Sequence, residues 1–178
     1  MSVLYDLVIV GGGAAGLTAA LYASRSGLDC IVLDPSSPEG SSIALTDAVE
    51  NYTGFSDIAG FDLIQHFYSH AKLFGANFVR QSLVGIRKNY DGFILECSDS
   101  EVKTKSVILC MGATHKKLGI DGENKFEGRG VSYCAVCDGY FFKDKTVAVI
   151  GGGTPPLPRQ PIFLIYANGF FLCTGATH

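Results

Sequence analysis

Residues 5–34 constrain the fold of this chain more than any other segment. An apolar run ends at Gly11, where Gly-Gly-Gly-Ala-Ala-Gly satisfies the pattern G-x-G-x-x-G, and apolar residues at helical spacing follow. A second apolar run, Cys30–Leu33, then ends at Asp34. This order predicts a β-α-β unit with a glycine-rich turn between a buried parallel strand and a helix. In such a unit Asp34 would accept a hydrogen bond from the ribose hydroxyl of a bound dinucleotide.

The glycines of the turn have separate steric roles. Gly11 makes the tight turn, Gly13 lets the backbone approach a pyrophosphate, and Gly16 lets the helix pack closely against the strand. The N–H groups at the start of the helix, at Ala14 and Ala15, would bind the phosphates together with the positive end of the helix dipole. The alternative is a glycine-rich turn that joins strand and helix and binds nothing.

The remaining pattern predicts the rest of an α/β domain. A helix is expected from Asp62, and short extended segments between residues 83 and 104 predict an antiparallel β-meander. Residues 107–110 predict one more buried strand, which ends at Gly112. Residues 147–150 are a further apolar run that leads into three glycines. We therefore predict an α/β fold, with a Rossmann-like domain that carries an antiparallel β-meander and a remnant of a second dinucleotide-binding domain.

The sequence after this second glycine run is rich in proline. Prolines at positions 155, 156, 158 and 161 stand where a helix would follow. Proline inside a helix removes a backbone donor and clashes with the preceding turn, so we expect a linker here, with a polyproline-type ligand segment as the alternative. Residues 108–115 recur as residues 171–178 with six of eight positions identical, which predicts a second strand that ends in the same kind of turn.

The chain contains six cysteines, of which only Cys134 and Cys137 are spaced as a C-x-x-C pair. This spacing is typical of a redox pair in which one thiol has a depressed pKa. Zinc is the alternative, but a closed zinc site needs four ligands and no second pair lies at the required spacing. His66 and His70 lie four residues apart without the glutamate of a zinc-protease motif, so we interpret them as part of a solvated helix face and predict no metal site.

Composition excludes several classes of function. The chain has 178 residues, and its 14 Lys and Arg against 17 Asp and Glu leave no basic surface for nucleic acid. Apolar runs are interrupted before membrane-spanning length, and Asp6 stands where a signal peptide needs apolar residues. We therefore expect a soluble, cytoplasmic protein with neither nucleic acid nor a membrane as its partner.

Four motifs in order resemble those of the low-molecular-weight thioredoxin reductases. The motifs are Val-Ile-Val-Gly-Gly-Gly-Ala-Ala-Gly from Val8, Val-Glu-Asn-Tyr-Thr-Gly-Phe from Val49, Gly-Arg-Gly-Val-Ser-Tyr-Cys from Gly128, and Cys-Ala-Val-Cys-Asp-Gly-Tyr-Phe-Phe from Cys134 with the later Val-Ala-Val-Ile-Gly-Gly-Gly. The resemblance covers residues 4–153 continuously.

The resemblance implies an FAD domain interrupted by a smaller NADPH domain that carries the redox disulfide. Electrons would pass from NADPH through the flavin to the disulfide and on to thioredoxin, in a homodimer. By motif position, Cys137 would face the flavin, Cys134 would attack the disulfide of the partner protein, and Asp138 would move protons. Asn51 would lie beside the flavin ring, and Gly112 would be among the residues that contact the cofactor.

The chain also departs from the family pattern. Ser41-Ser42-Ile43 replaces the usual Gly-Gly-Gln, and Pro156 occupies the third glycine position of the second dinucleotide turn. We expect a chain with most of its NADPH domain deleted, divided into an FAD domain (1–115), a redox-motif segment with the start of an NADPH-domain remnant (116–153), a proline-rich linker (154–165) and a strand that returns to the FAD domain (166–178). The expected function is an FAD-dependent thioredoxin-disulfide reductase impaired by truncation. The alternatives are a non-catalytic FAD-binding fragment and a flavin disulfide reductase with a donor other than NADPH.

Overall fold

The computed structural model describes residues 3–113, 117–134 and 138–150, together with the backbone of residues 169–173. The chain divides into two compact units, Met1–Ala113 and Thr114–His178. No helix in the described part of the chain is long and apolar enough to cross a membrane. The two units are described separately.

The first unit consists of one six-stranded sheet and two helices. In chain order its elements are β1 (Leu4–Val10), α1 (Ala14–Arg25), β2 (Cys30–Leu33), α2 (Gly60–Leu73), β3 (Asn77–Val79), β4 (Leu83–Asn89), β5 (Gly92–Cys97) and β6 (Glu101–Leu109). The order of strands across the sheet is β3-β2-β1-β6-β5-β4.

Parallel and antiparallel halves meet in this sheet at β6. Strand β1 lies between β2 and β6 and is parallel to both, so that Val8 pairs with Ile31 on one side and with Val107 on the other. Strand β3 is parallel to β2, whereas β4, β5 and β6 form an antiparallel meander. The predicted α/β class, the Rossmann-like β-α-β unit and the meander are therefore confirmed.

The core explains why β1 and β2 are apolar at every position near their carboxyl ends. Alternate side chains of a strand point to opposite faces of the sheet, and both faces are covered here. One cluster contains Leu7 and Ile9 with Ala20 of α1 and Ala71 of α2. The other cluster contains Val8, Val10, Ile31, Leu33 and Leu95.

Three details of the first unit differ from the prediction. Strand β3 was not predicted, because three residues are too few to show a period. Helix α2 begins at Gly60, two positions before Asp62. Strand β6 is continuous where two strands were expected, because Lys105 and Ser106, which lie between the two predicted segments, donate hydrogen bonds to Oδ1 and to the carbonyl of Asp6 in β1 at 2.6 and 2.7 Å. Polar residues can therefore occupy the middle of this strand.

The second unit contains a short helix α3 (Glu123–Phe126), a 3₁₀ helix (Gly139–Phe142), and the strands β7 (Thr146–Ile150) and β8 (Gly169–Cys173). Strand β8 pairs with β7 in parallel, from Thr146 opposite Gly169 to Ile150 opposite Cys173. We expected this late strand to return to the first domain, but it pairs with β7 instead. The segment between the two strands, residues 151–168, is longer than the dozen or so residues that a crossover between parallel strands needs. Because those residues lie outside the described part, the predicted linker and absence of a helix stay predictions, as does the four-part division of the chain.

Candidate functional site

The glycine-rich turn brings three backbone segments close together. Gly11 has a φ of +100°, and a Cβ atom there would lie 2.3 Å from the carbonyl oxygen of Cys110. A Cβ atom on Gly16 would lie 1.8 Å from the carbonyl oxygen of Gly11. Only glycine fits at these two positions, because α1 starts in contact with the turn and the end of β6 passes beside it. These contacts match the roles predicted for the two glycines.

Gly13 differs from its two neighbours because the protein itself does not require a glycine there. Its φ of −79° is accessible to any residue, and the nearest atom to an added Cβ would be the Cβ of Ser41 at 3.8 Å. The space in front of Gly13 is therefore open. Open space at this position fits the close approach of a pyrophosphate group.

The start of helix α1 offers hydrogen-bond donors to an anion. Gly13 is the N-cap residue, no side chain caps the helix, and its first turn contains no acidic residue. The first intrahelical bond joins the Leu17 N–H to the Gly13 carbonyl at 2.9 Å. The N–H groups of Ala14, Ala15 and Gly16 consequently have no acceptor within the helix. They lie at the positive end of the helix dipole, where a phosphate group binds well.

Asp34 fixes the turn from the end of β2. Its Oδ2 atom accepts a hydrogen bond from the Gly12 N–H at 2.6 Å, and its Oδ1 atom accepts from the N–H and the hydroxyl of Ser36 at 2.8 and 3.2 Å. A carboxylate has about four lone-pair positions, so these three bonds leave room for one from a ribose hydroxyl. Asp34 therefore lies at the end of β2, as predicted, and its hydrogen bonds also hold the turn together.

Ser37 is a further residue of the turn, and no sequence motif indicated it. Its hydroxyl donates to the Gly12 carbonyl at 3.1 Å, and the residue is buried. A Cβ atom on Gly12 would lie 2.1 Å from this Ser37 oxygen. Ser37 belongs to a Ser- and Pro-rich loop whose composition predicts only irregular structure, so its contact with Gly12 depends on tertiary packing.

Gly112 and Asn51 lie in different settings. Gly112 is exposed, has a φ of +70°, and follows the Cys110 that contacts Gly11, at the carboxyl ends of β1 and β6. Asn51 is exposed in a loop closed by the antiparallel bridge between Val49 and Ile58. No hydrogen bond of the described residues joins Asn51 to the turn. The cofactor roles expected of both residues stay predictions.

A backbone hydrogen bond joins Cys134 to Asp138 in the second unit. Cys134 is disulfide-bonded, and its carbonyl accepts a hydrogen bond from the Asp138 N–H at 3.0 Å. Residues 135–137 lie outside the described part, so the pairing of Cys134 with Cys137 stays a prediction. Two residues predicted to act together, Cys134 and Asp138, are thus brought together by the backbone.

The buried carboxylate of Glu123 is hydrogen-bonded to Tyr133, the residue before Cys134. The Glu123 side chain accepts hydrogen bonds from the Tyr133 hydroxyl at 2.6 Å and from the N–H groups of Leu118 and Gly119 at 2.8 and 2.7 Å. The bond to Tyr133, followed by the one to Leu118, holds the pKa of Glu123 below its ordinary value. The same bond to Glu123 raises the pKa of Tyr133 to about 12. A glutamate that is 4% exposed has no signature in the sequence, so this cluster was not predicted.

The other described cysteines are free thiols, namely Cys30, Cys97 and Cys110. Burial raises the pKa of the Cys97 and Cys110 thiols. Within the described ranges, no group of three or more His, Cys, Asp or Glu side chains could hold a metal ion. His66 and His70 are exposed, and their rings contact Phe55 and Phe74, with centroids 5.7 and 5.5 Å apart.

Comparison with known proteins relates the glycine-rich turn and the segment around Cys134 to one family. The family model described as pyridine nucleotide-disulphide oxidoreductase matches residues 5–154. The thioredoxin reductases of Bacillus subtilis and Treponema pallidum are 43% and 45% identical to this chain over 150 residues, which are 84% of this chain and 47% and 48% of those proteins. The solved thioredoxin reductase of Streptococcus pyogenes has a TM-score of 0.86 at 34% identity, over 97% of this chain and 56% of that one.

The matches cover most of this chain but only part of each relative. The chain spans about half the length of the curated relatives it matches. The matched range nevertheless includes the glycine-rich turn, Asp34, Cys134 and Asp138. With more than half of its residues matched by the family model, this chain belongs to the pyridine nucleotide-disulphide oxidoreductase family.

Proposed function

We propose that this chain is an FAD-dependent thioredoxin-disulfide reductase whose redox centre is the pair Cys134 and Cys137. The proposal depends above all on the disulfide-bonded Cys134, whose carbonyl accepts a hydrogen bond from the Asp138 N–H. The first unit of the same chain has an open, uncapped dinucleotide turn. The relatives named thioredoxin reductase support the choice of reaction.

The residues of the turn fit the adenosine half of FAD. The N–H groups of Ala14 and Ala15 would bind the pyrophosphate, since the open space beside Gly13 lets it approach the backbone. Asp34 would accept a hydrogen bond from the ribose, and Asn51 and Gly112 would lie toward the flavin. FAD, when bound, supplies a group that accepts and donates two electrons.

The two cysteines would reduce a partner disulfide in two balanced steps. The Cys134 thiolate attacks one sulfur of the partner disulfide, forms a mixed disulfide, and releases the other sulfur as a thiolate. The Cys137 thiolate then attacks the Cys134 sulfur, which breaks the mixed disulfide and forms the Cys134–Cys137 disulfide. The partner gains two electrons and two protons and leaves as a dithiol. Asp138 would hold and transfer a proton in this exchange.

NADPH is the electron donor that the family resemblance implies, and we propose that it does not reduce this chain alone. A pyrophosphate needs a glycine-rich turn that leads into a helix N-terminus. After the glycines at positions 151–153, proline occupies position 156 and also positions 155, 158 and 161. The second candidate function is accordingly a flavin-binding chain without its own electron input, which the prolines after position 153 favour.

The proposed partner is thioredoxin or a similar dithiol protein, and the proposed compartment is the cytoplasm. The free thiols of Cys30, Cys97 and Cys110 support a reducing compartment, because thiols persist there. A homodimer is the assembly that the family resemblance implies. Sedimentation of the purified chain tests it, since a mass of one chain would contradict the dimer.

The proposed exchange is tested with the chain reduced by a dithiol reagent and freed of that reagent. The reduced chain is mixed with oxidised thioredoxin, the reaction is stopped with an alkylating agent, and thioredoxin thiols are counted by mass spectrometry. We expect two new thiols per thioredoxin. Cys134→Ser should abolish the transfer, whereas the matched variant Cys97→Ser should keep it. Equal transfer by Cys134→Ser and Cys97→Ser would refute the redox assignment.

A further inference from the structure

The Ser132 hydroxyl is hydrogen-bonded to both Cys134 and Asp138. Its Oγ atom accepts a hydrogen bond from the Cys134 N–H at 3.1 Å. The same oxygen is hydrogen-bonded to Oδ2 of Asp138 and lies 3.3 Å from the Cys134 carbonyl oxygen. All three residues are half-buried. One hydroxyl group thus contacts both Cys134 and Asp138.

The donors and acceptors at Ser132 favour one assignment of its proton. A serine hydroxyl has one proton to donate and can accept two hydrogen bonds. The Cys134 carbonyl already accepts from the Asp138 N–H at 3.0 Å, and the Asp138 carboxylate needs a donor. We therefore assign the Ser132 proton to Asp138, where a charge-assisted bond is the stronger one. The bonds Ser132 to Asp138, Asp138 to Cys134 and Cys134 to Ser132 then form a closed ring.

This ring leaves the other oxygen of Asp138 available. Among the hydrogen bonds of the described residues, Oδ1 of Asp138 has none, whereas Oδ2 is held by Ser132. A carboxylate held by one oxygen cannot rotate freely about its terminal bond, so the second oxygen keeps a fixed direction. Fixed direction matters for proton transfer, because a general acid or base must lie within hydrogen-bond reach of the reacting group.

We propose that Ser132 is a positioning residue that holds Asp138 and Cys134 in the arrangement needed for dithiol–disulfide exchange. The proposal rests on the proposed function, since it concerns the rate of that same exchange. Removal of the hydroxyl deprives the Asp138 carboxylate of its donor and the Cys134 N–H of its acceptor. We expect exchange to slow about tenfold, less than the roughly 100-fold or greater contribution of a general acid or base itself.

The experiment compares exchange rates of reduced chains with a small aromatic disulfide, followed by the absorbance of the released thiol. Ser132→Ala should be about tenfold slower than the unchanged chain. Ser132→Thr should restore most of the rate, because threonine keeps the hydroxyl. Ser26→Ala, which removes an exposed hydroxyl at the end of α1, is the matched control and should react at the unchanged rate. If Ser132→Ala does not fold, Ser132→Thr against Ser132→Val makes the same comparison between side chains of equal shape.

A double-mutant cycle separates a positioning role from a general loss of structure. If Ser132 acts through Asp138, Ser132→Ala should slow exchange by less than twofold in a chain that already carries Asp138→Asn. An equal slowing in both backgrounds, or no slowing by Ser132→Ala, would overturn the proposal while the proposed function stands. If the unchanged chain shows no more exchange than Cys134→Ser, the proposed function fails and this proposal fails with it.

Discussion

The N–H group of Gly12 donates a hydrogen bond to Oδ2 of Asp34 at 2.6 Å, across 22 positions of sequence. Asp34 follows β2 and Gly12 follows β1, so this bond ties together the carboxyl ends of two neighbouring parallel strands. It gives Asp34 a task within the protein in addition to the ribose contact expected of it. Changes at Asp34 should therefore affect both the turn and its ligand.

Asp34→Asn should weaken FAD binding and lower stability together. An asparagine side chain has one acceptor oxygen, so it cannot replace all three hydrogen bonds that the carboxylate accepts. We expect a loss of about 1–3 kcal/mol in the free energy of unfolding and an FAD affinity about tenfold lower. Urea unfolding and titration of FAD absorbance measure the two effects. Asp57→Asn, at an exposed position, is the control, and equal behaviour of both variants would contradict the role of Asp34.

Gly13→Val should abolish FAD binding and leave the fold intact. The valine side chain would enter the space kept open for the pyrophosphate, while the φ of −79° and the open surroundings tolerate it. Gly16→Ala provides the contrast, because its Cβ would overlap the Gly11 carbonyl oxygen and should cost about 1–3 kcal/mol or more. Flavin content after incubation with FAD and the thermal midpoint are the measurements. Flavin retained by a folded Gly13→Val chain would refute this site.

Some features of the fold and the site could be predicted from the sequence, and others could not. The turn from Gly11 to Gly16 and Asp34 were predictable, because strand, glycines, helix and acidic residue follow one another at fixed spacing. The contact of Ser37 with Gly12 and the burial of Glu123 were not, because they depend on residues brought together only by the fold. The short β3 has too few residues for a period, and the polar Lys105 and Ser106 lie inside β6, where both donate hydrogen bonds to Asp6 of β1.

Cys134 and Cys137 should form a disulfide that dithiol reagents reduce, while the other cysteines label slowly in the folded chain. Cys30 is 3% exposed, and burial raises the pKa of the Cys97 and Cys110 thiols, which lowers their thiolate fraction at neutral pH. Timed alkylation with mass spectrometry of the peptides measures each rate. Equal labelling of all cysteines, or a pair blocked by zinc, would contradict the redox pair.

The bond between Tyr133 and Glu123 should make stability depend on pH at both extremes. Glu123 has a lowered pKa in the folded chain, so its contribution is present above its ordinary pKa near 4.5 and is lost as pH falls through the folded value. The pKa of Tyr133 is raised from 10.0 to about 12, so its contribution is present below pH 10 and is lost as pH rises toward 12.

The alkaline effect can be measured directly. Absorbance of ionised tyrosine should show a group that titrates near pH 12. Tyr133→Phe should remove this group from the titration. Between pH 10 and 12, the free energy of unfolding of this variant should fall less steeply than that of the unchanged chain. Tyr90→Phe, at a fully exposed position, is the control. A titration unaltered by Tyr133→Phe would show that the bond to Glu123 does not form.

An FAD-linked disulfide at Cys134 and Cys137 can be verified by counting the electrons that the chain takes up. The chain loaded with FAD is titrated with dithionite without oxygen, and flavin absorbance and free thiols are followed together. We predict about two equivalents of this two-electron reductant per bound FAD, about one for Cys137→Ser, and no bleaching by NADPH. Without FAD the disulfide should stay oxidised during the same titration. Failure to bind FAD, or about one equivalent for both the unchanged chain and Cys137→Ser, would contradict the account.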